Sequence, residues 1–344
     1  MGFAAGRPST WGDDVARMRI IDRDEVARRL TYEVCIPLVR DAMVAFSRGE
    51  TKQLLRSILP LSEGRLFGVM PGALGANEPF GAKLISVFHD NVAKGRQSHQ
   101  GLVVLFDPAT GEPVCIVHAG EITAIRTAAA SAVATAVLAL PEAHRLAILG
   151  CGEQAATHAR AIGKVRPLQS IAVWGRSLER ARAFADRMRA ELGLPVVAFG
   201  EAEEAVRDAE IICTVTASST PILKGAWVAA GAHVNIVGSG YAGPVEVDHD
   251  LVTRSRFVVD SREGVLRQGA EFLEAKAAGL IGDDHIVAEI GQVLAGDVVG
   301  RRTASEVTAY KSLGHIVQDL ASAWALYAEP APLGSEGTTA SKTR

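Results

Sequence analysis

The sequence predicts an α/β protein, with an α+β first half and a second half wound as a parallel sheet between helices. Three observations carry the prediction. At Arg145–Ala156, RLAILGCGEQAA, the short apolar run Leu146–Leu149 enters a Gly-x-Gly-x-x-Ala turn and then alanine-rich helical sequence. From there to the Phe257 region, short apolar runs alternate with helical patterns, the spacing of βαβ units with right-handed crossovers. In the first third of the chain, by contrast, extended segments follow one another directly, and the turn Asp107-Pro-Ala-Thr-Gly111 joins the last two as a hairpin.

Taken in order, Arg19–Ile21 reads as a short strand. Asp22, with Glu25 three residues on, is a capping-box start for a helix that ends near Leu30. A second helix covers about Ile36–Ser47. Extended segments follow at Gln53–Leu59, Leu66–Met70, Ala82–Phe88, Gly101–Phe106 and Val114–His118. From Ile122 to Leu140 the chain is almost all Ala, Val, Leu and Ile with Thr and Ser, and Pro141 stops it. A helix so apolar on every side is expected to be buried, here as the bridge between two domains.

Beyond Gly150, strands are expected at Ser170–Trp174, Val196–Phe199, Ile211–Thr216, His233–Val237 and Phe257–Asp260, with helices at Glu179–Glu191 and Glu201–Asp208. Val307–Lys311 reads as a strand, with Ser312 capping a final helix to about Tyr327. The pair Thr303 and Glu306 is a competing capping-box start for an earlier helix.

A net charge of −3 offers no electrostatic case for nucleic acid. The four cysteines, Cys35, Cys115, Cys151 and Cys213, are scattered without metal-ligand or paired spacing, so no metal site is expected and a reducing cytoplasm is. No apolar run is expected to reach membrane-spanning length, no membrane partner is expected, and the first residues lack the apolar core of a signal peptide. Residues 1–17 and 329–344 read as flexible, the latter rich in Pro, Ser, Thr and Gly.

The Gly-x-Gly-x-x-Ala turn points to a dinucleotide. Gly150 permits the tight strand-to-helix turn and Gly152 lets backbone approach a pyrophosphate. The small Ala155 allows close helix–strand packing, and the helix N-terminus offers free N–H groups. At the end of the next strand an acid would select NAD by accepting from the ribose hydroxyls. The chain has Trp174-Gly175-Arg176-Ser177 instead, and a guanidinium suits a 2′-phosphate, which favours NADP(H) over NAD(H). In the first half, Arg56, Lys83 and Arg126 are each embedded in apolar sequence, LLRSIL, GAKLIS and TAIRTAAA. A cation there needs an anion. Each could belong to an internal ion pair; together, beside a nicotinamide, they suggest a pocket for a substrate carboxylate.

At Arg126 the sequence meets a family. EITAIRTAAASAVA followed by AILGCGEQA strongly resembles the ornithine cyclodeaminase/mu-crystallin family, and the likeness extends through GAKLISVF, LFDPATGEP, VVDSREGVLRQGAE and YKSLGHIVQDLASA. The resemblance implies a Rossmann dinucleotide-binding domain, residues 126–314, inserted in an α+β substrate-binding and dimerisation domain built from residues 18–125 and 315–328, and a homodimer paired through the latter. It also implies that Arg56, Lys83 and Arg126 bind substrate, with Ser98 where cyclodeaminases carry a substrate-contacting Thr. Gly150, Gly152, Glu153, Gln154 and Ala155 then form the pyrophosphate loop, with Thr127 beside it. Arg176 and Ser177 meet the adenosine end, Thr214 and Thr216 the cofactor, and Val237, Ser312 and Gly314 lie near the nicotinamide.

One departure matters more than these matches. Cyclodeaminases carry an Asp in the loop after the fifth strand of the nucleotide domain; here that position is Gly240, which has no proton-transfer group. Glu246 and Asp248 nearby match the family's structural Glu-x-Asp pattern. The expected activity is therefore NAD(P)H-dependent reduction of a small α-imino acid, cyclic such as pyrroline-2-carboxylate or open such as iminosuccinate, with Lys83 as the catalytic residue that adds positive charge and donates or relays the proton. The alternatives are a cyclodeaminase-type lyase using bound NAD and a non-catalytic, mu-crystallin-like NADPH- or ligand-binding protein.

Overall fold

A computed structural model describes residues 18–238, 240 and 243–329. The expected flexible segments lie outside the described residues, apart from Glu329, which follows the last helix and accepts a hydrogen bond from Arg29 through its carbonyl. The first half comprises β1 (Arg19–Ile21), α1 (Arg23–Arg29), α2 (Tyr32–Ser47), β2 (Lys52–Gln53), β3 (Ser57–Ser62) and β4 (Arg65–Ala73). It continues through β5 (Phe80–Phe88), β6 (His99–Phe106), β7 (Pro113–His118) and the long helix α3 (Ala119–Leu138). The second half begins with β8 (Arg145–Leu149), α4 (Glu153–Ile162), β9 (Ser170–Trp174), α5 (Leu178–Leu192), β10 (Val196–Phe199), α6 (Ala202–Val206), β11 (Ile211–Thr214) and β12 (His233–Ile236). Then come α7 (His249–Arg254), β13 (Arg256–Val259), α8 (Arg262–Gln268), α9 (Ala270–Ala277), β14 (Ile286–Glu289), α10 (Ile290–Ala295), β15 (Thr308–Lys311) and α11 (Ile316–Ala328).

These strands form two sheets. The first runs β1-β7-β6-β5-β4-β2, with β3 also on β4; it is antiparallel except where β1 joins β7. The second runs β10-β9-β8-β11-β12-β15-β13-β14 and is parallel throughout. Strand β15, from the end of the chain, inserts between β12 and β13, and α11 then returns to pack on β4, β5 and β6 of the first sheet.

Helix α3 joins the two halves. Ile122, Ile125, Val133 and Leu138 pack with α2 and α11 in the core of the first half, whereas Ala128 and Ala132 pack with α4 and β8 in the second. By length and composition α3 could cross a membrane, contrary to the expectation that no run reaches that length, yet it lies buried within the protein. Its last carbonyls lack helical donors. Arg166 Nη2 donates to Thr135, Ala136 and Ala139 and Arg301 Nε donates to Leu138, placing two cations at the negative end of the dipole.

Several boundaries differ from expectation for local reasons. Helix α2 starts at Tyr32, not Ile36, because its buried stripe of Cys35, Val39, Ala42 and Met43 begins in the first turn; Pro37, which has no N–H to give to the Glu33 carbonyl, lies inside the helix. The expected strand Gln53–Leu59 is two strands, β2 and β3, with a break where Arg56 turns inward. Ser312 does not cap the final helix. Helix α11 starts three residues later, after His315, and the Ser312 N–H is drawn to the Ile236 carbonyl instead. Helices α7, α8, α9 and α10 and strand β14 extend the second half beyond the elements read from the sequence.

Candidate functional site

Strand register buries Lys83. Across the first sheet, Val117, Val103, Lys83 and Met70 stand side by side, and all four are buried on the face covered by helices. The neighbouring row, Ile20, Ile116, Val104, Ala82 and Pro71, lies on the opposite face and none of it is fully buried. With a side-chain period of two, a residue one step along β5 would point away from the helices.

Under the helices Lys83 meets Asp319 of α11. Its Nζ donates to Asp319 Oδ1 at 2.9 Å, and Arg126 Nε of α3 donates to the same oxygen at 3.0 Å. Arg126 Nη1 also donates to Gln318 Oε1. Arg56 approaches from the other side but finds no carboxylate: Nη1 donates to the Gly240 carbonyl at 2.8 Å, and Nη2 to the carbonyls of Leu313 at 2.6 Å and Gly314 at 2.9 Å. The turn at Leu313 and Gly314 separates the two guanidinium groups. Gly314 has φ +80°, and a Cβ there would stand 2.6 Å from Arg126 Nη1, so both backbone and space require glycine. Asp260 holds the turn, its Oδ2 accepting from the N–H groups of Leu313 and Gly314.

The charge balance is positive. Lys83, Arg56 and Arg126 face two carboxylates, Asp319 and Asp260, which leaves a surplus cation in a buried place. Burial chiefly lowers Lys83 to about 7; Asp319 opposes that shift and Arg126 adds to it. Burial also lowers Arg56, with Arg126 adding to the effect. For Asp319 burial works upward, but Arg126 and Lys83 outweigh it and hold the carboxyl below its ordinary range. His315, buried at the start of α11 against the Phe46 ring, is lowered by burial to about 4 and stays neutral.

The Gly-x-Gly-x-x-Ala turn joins β8 to α4 through two glycines of different geometry. Gly150 adopts φ +131°, donates to the Trp174 carbonyl, and would place a Cβ 3.0 Å from Val215 Cγ2. Gly152 is the extended N-cap of α4, and a Cβ there would meet nothing within 4 Å, so the helix N-terminus is open to a phosphate. Ala155 is fully buried, in the core shared with β8. Glu153 accepts from Gln97 Nε2 at 2.5 Å, and Gln97 also reaches Glu121, so the start of β6 sits against the start of α4. Ser98, next to Gln97, shares a hydrogen bond with His99 Nδ1 at 2.9 Å.

Thr214 and Thr216, expected to contact the cofactor, donate their hydroxyls to Glu246, which also accepts from the N–H groups of Thr216 and Gly238. Glu246 is thus buried and structural, and half-buried Asp248 caps α7. Val237 donates its N–H to Thr214, Arg176 is exposed, and Ser177 caps α5. Gln154 accepts from His158 through its carbonyl, and Thr127 is buried beside Arg126. The sequence reading missed Asp319, Asp260 and Gln97. The signal for Asp319 was present: it is an acid within the apolar stretch IVQDLASA, the pattern that singled out the three cations.

Known proteins match this architecture along nearly its whole length. Delta(1)-pyrroline-2-carboxylate reductase of Bacillus cereus is 33% identical over 90% of this chain and 96% of its own. Ketimine reductase mu-crystallin of Rattus norvegicus is 35% identical over 89% and 96%. The structure of Thermococcus litoralis Delta(1)-pyrroline-2-carboxylate reductase in complex with NADH and L-proline superposes with a TM-score of 0.87, at 32% identity, over 90% of this chain and 97% of that one. The family model matches residues 17–331, and the chain belongs to the ornithine cyclodeaminase/mu-crystallin family.

Proposed function

We propose that this protein reduces a small α-imino acid to the amino acid with a pyridine nucleotide. The observation that carries the reading is the surplus of positive charge where Lys83, Arg56 and Arg126 meet beside the Leu313–Gly314 turn. A substrate carboxylate supplies the missing negative charge. The nicotinamide supplies hydride when bound. Arg56 and Arg126 hold the carboxylate and so orient the C=N carbon. Lys83, with a proton it holds weakly at neutral pH, protonates the reduced nitrogen. The similar proteins named as reductases of pyrroline-2-carboxylate and of ketimines support the same reaction class.

Gly240 argues against the cyclodeaminase alternative: its carbonyl is engaged by Arg56 and it carries no acid. The retained cations argue against a purely ligand-binding role. We assign NADP(H) over NAD(H) on exposed Arg176 at the end of β9, the pyrophosphate to Gly150–Ala155, and Ser98, Thr127, Val237 and Ser312 to the surroundings of substrate and nicotinamide. A homodimer is supported by the helix-free face of the first sheet, where Ile20 is 72% and Leu102 42% exposed. The division at residues 126 and 314 and a cytoplasmic location, supported by four free cysteines, belong to the same reading.

The test is a screen of cyclic imines, and of 2-oxo acids with amines, against NADH and NADPH. Oxidation of added cofactor with a cyclic or open imine is the expected result. Ammonia and proline formed from L-ornithine with catalytic NAD would establish the lyase instead. Tight NADPH binding with no turnover would establish the binding protein.

A further inference from the structure

We propose that Asp319 is a positioning residue: it holds the Lys83 ammonium in place beside the Arg126 guanidinium and thereby keeps it available as a proton donor. The proposal rests on the geometry of one shared oxygen. Asp319 Oδ1 accepts from Lys83 Nζ at 2.9 Å and from Arg126 Nε at 3.0 Å, and all three side chains are buried. The other oxygen, Oδ2, has no hydrogen-bond partner among the described residues. A buried carboxylate left half-satisfied is costly. Its compensation here is electrostatic, since it is the anion that lets two buried cations share one site.

Every other charged group near Lys83 works against its proton or is occupied elsewhere. From α3, Arg126 opposes the ammonium, and so does Arg56 from between β2 and β3. His315, at the head of α11, is neutral. Asp260, after β13, is bound to the N–H groups of the Leu313–Gly314 turn and faces Arg56. Cys35 of α2 and Tyr310 of β15 stay protonated, both raised by burial. Asp319 thus raises Lys83 against burial and two like charges, and its removal leaves those effects unopposed.

The experiment compares wild type with Asp319→Asn, which keeps shape and removes charge. Lys83 is titrated by NMR of protein carrying 13Cε-lysine, assigned with Lys83→Met, and kcat/KM for imine reduction is measured across pH. An opposite charge at this distance shifts a titration by about 1–3 units, so Lys83 should titrate lower by at least about one unit. The alkaline limb of kcat/KM should move with it, with a loss of about tenfold or more at alkaline pH and a smaller loss under mild acid. An unmoved Lys83 titration in folded Asp319→Asn overturns the proposal. If that variant does not fold, Asp319→Glu keeps the charge and moves it by one methylene relative to Lys83 Nζ, and Lys83 must then titrate at a different pH; no change overturns the proposal. The kinetic arm depends on the reductase reading, whereas the titration does not. A wild type that reduces no imine while Lys83 still shifts refutes that reading and leaves the role of Asp319 standing.

Discussion

The direction of the reaction should reverse the sign of its pH dependence. On the proposed role, Lys83 gives a proton in reduction and must be charged, and takes one in oxidation of the amino acid and must be neutral. Burial lowers Lys83 to about 7. The protonated fraction then falls from about nine-tenths one unit below that value to about one-tenth one unit above it. Across those two units kcat/KM for imine reduction should drop about tenfold, and kcat/KM for amino-acid oxidation should rise by about the same factor. The assay follows nicotinamide absorbance with Δ1-pyrroline-2-carboxylate in one direction and L-proline in the other. Lys83→Met is the control: it removes the Lys83 limb from both profiles and lowers turnover by about 10²-fold or more. Limbs of the same sign in both directions, or a midpoint near the ordinary lysine value of about 10.4, would refute the assignment of Lys83 as the group that moves the proton.

Three further outcomes are expected. Arg176→Asp should weaken NADPH binding far more than NADH binding, by about tenfold or more for the loss of one charge-assisted contact, measured by fluorescence titration; equal losses would remove Arg176 from the phosphate site. Gly314→Ala forces a left-handed residue to carry a Cβ, at about 1–2 kcal/mol, and pushes the Arg126 guanidinium from 2.6 Å away. KM for the imine should rise; an unchanged KM would show that Arg126 does not hold the substrate. Leu102→Asp, on the open face of the first sheet, should shift a dimer toward monomer in sedimentation, and a monomeric wild type would dismiss that interface.

The sequence by itself determined the local elements and the two families of chemistry. The strand-turn-helix of Arg145–Ala156 is legible because a short apolar run, two glycines and a small residue at fixed spacing are short-range requirements. Ser170–Trp174 and Val196–Phe199 appear with the bounds their apolar runs suggest. Arg56, Lys83 and Arg126 were visible because a cation in an apolar run contradicts its surroundings. Asp22 was visible as a cap, with its Oδ1 accepting from Glu25.

What those cations meet was decided only by tertiary structure. Lys83 and Asp319 are 236 residues apart, and Arg56 reaches carbonyls 184 and 257 residues away. No local period encodes such pairings. They follow from β15 entering the second sheet while α11 returns to the first. The same folding assigned Thr214 and Thr216 to Glu246 and drew Ser312 to β12 rather than to a helix cap, because buried donors and acceptors must find partners wherever the packed chain brings them. It also lowered Lys83, because burial is a property of the assembled layers and not of the residue.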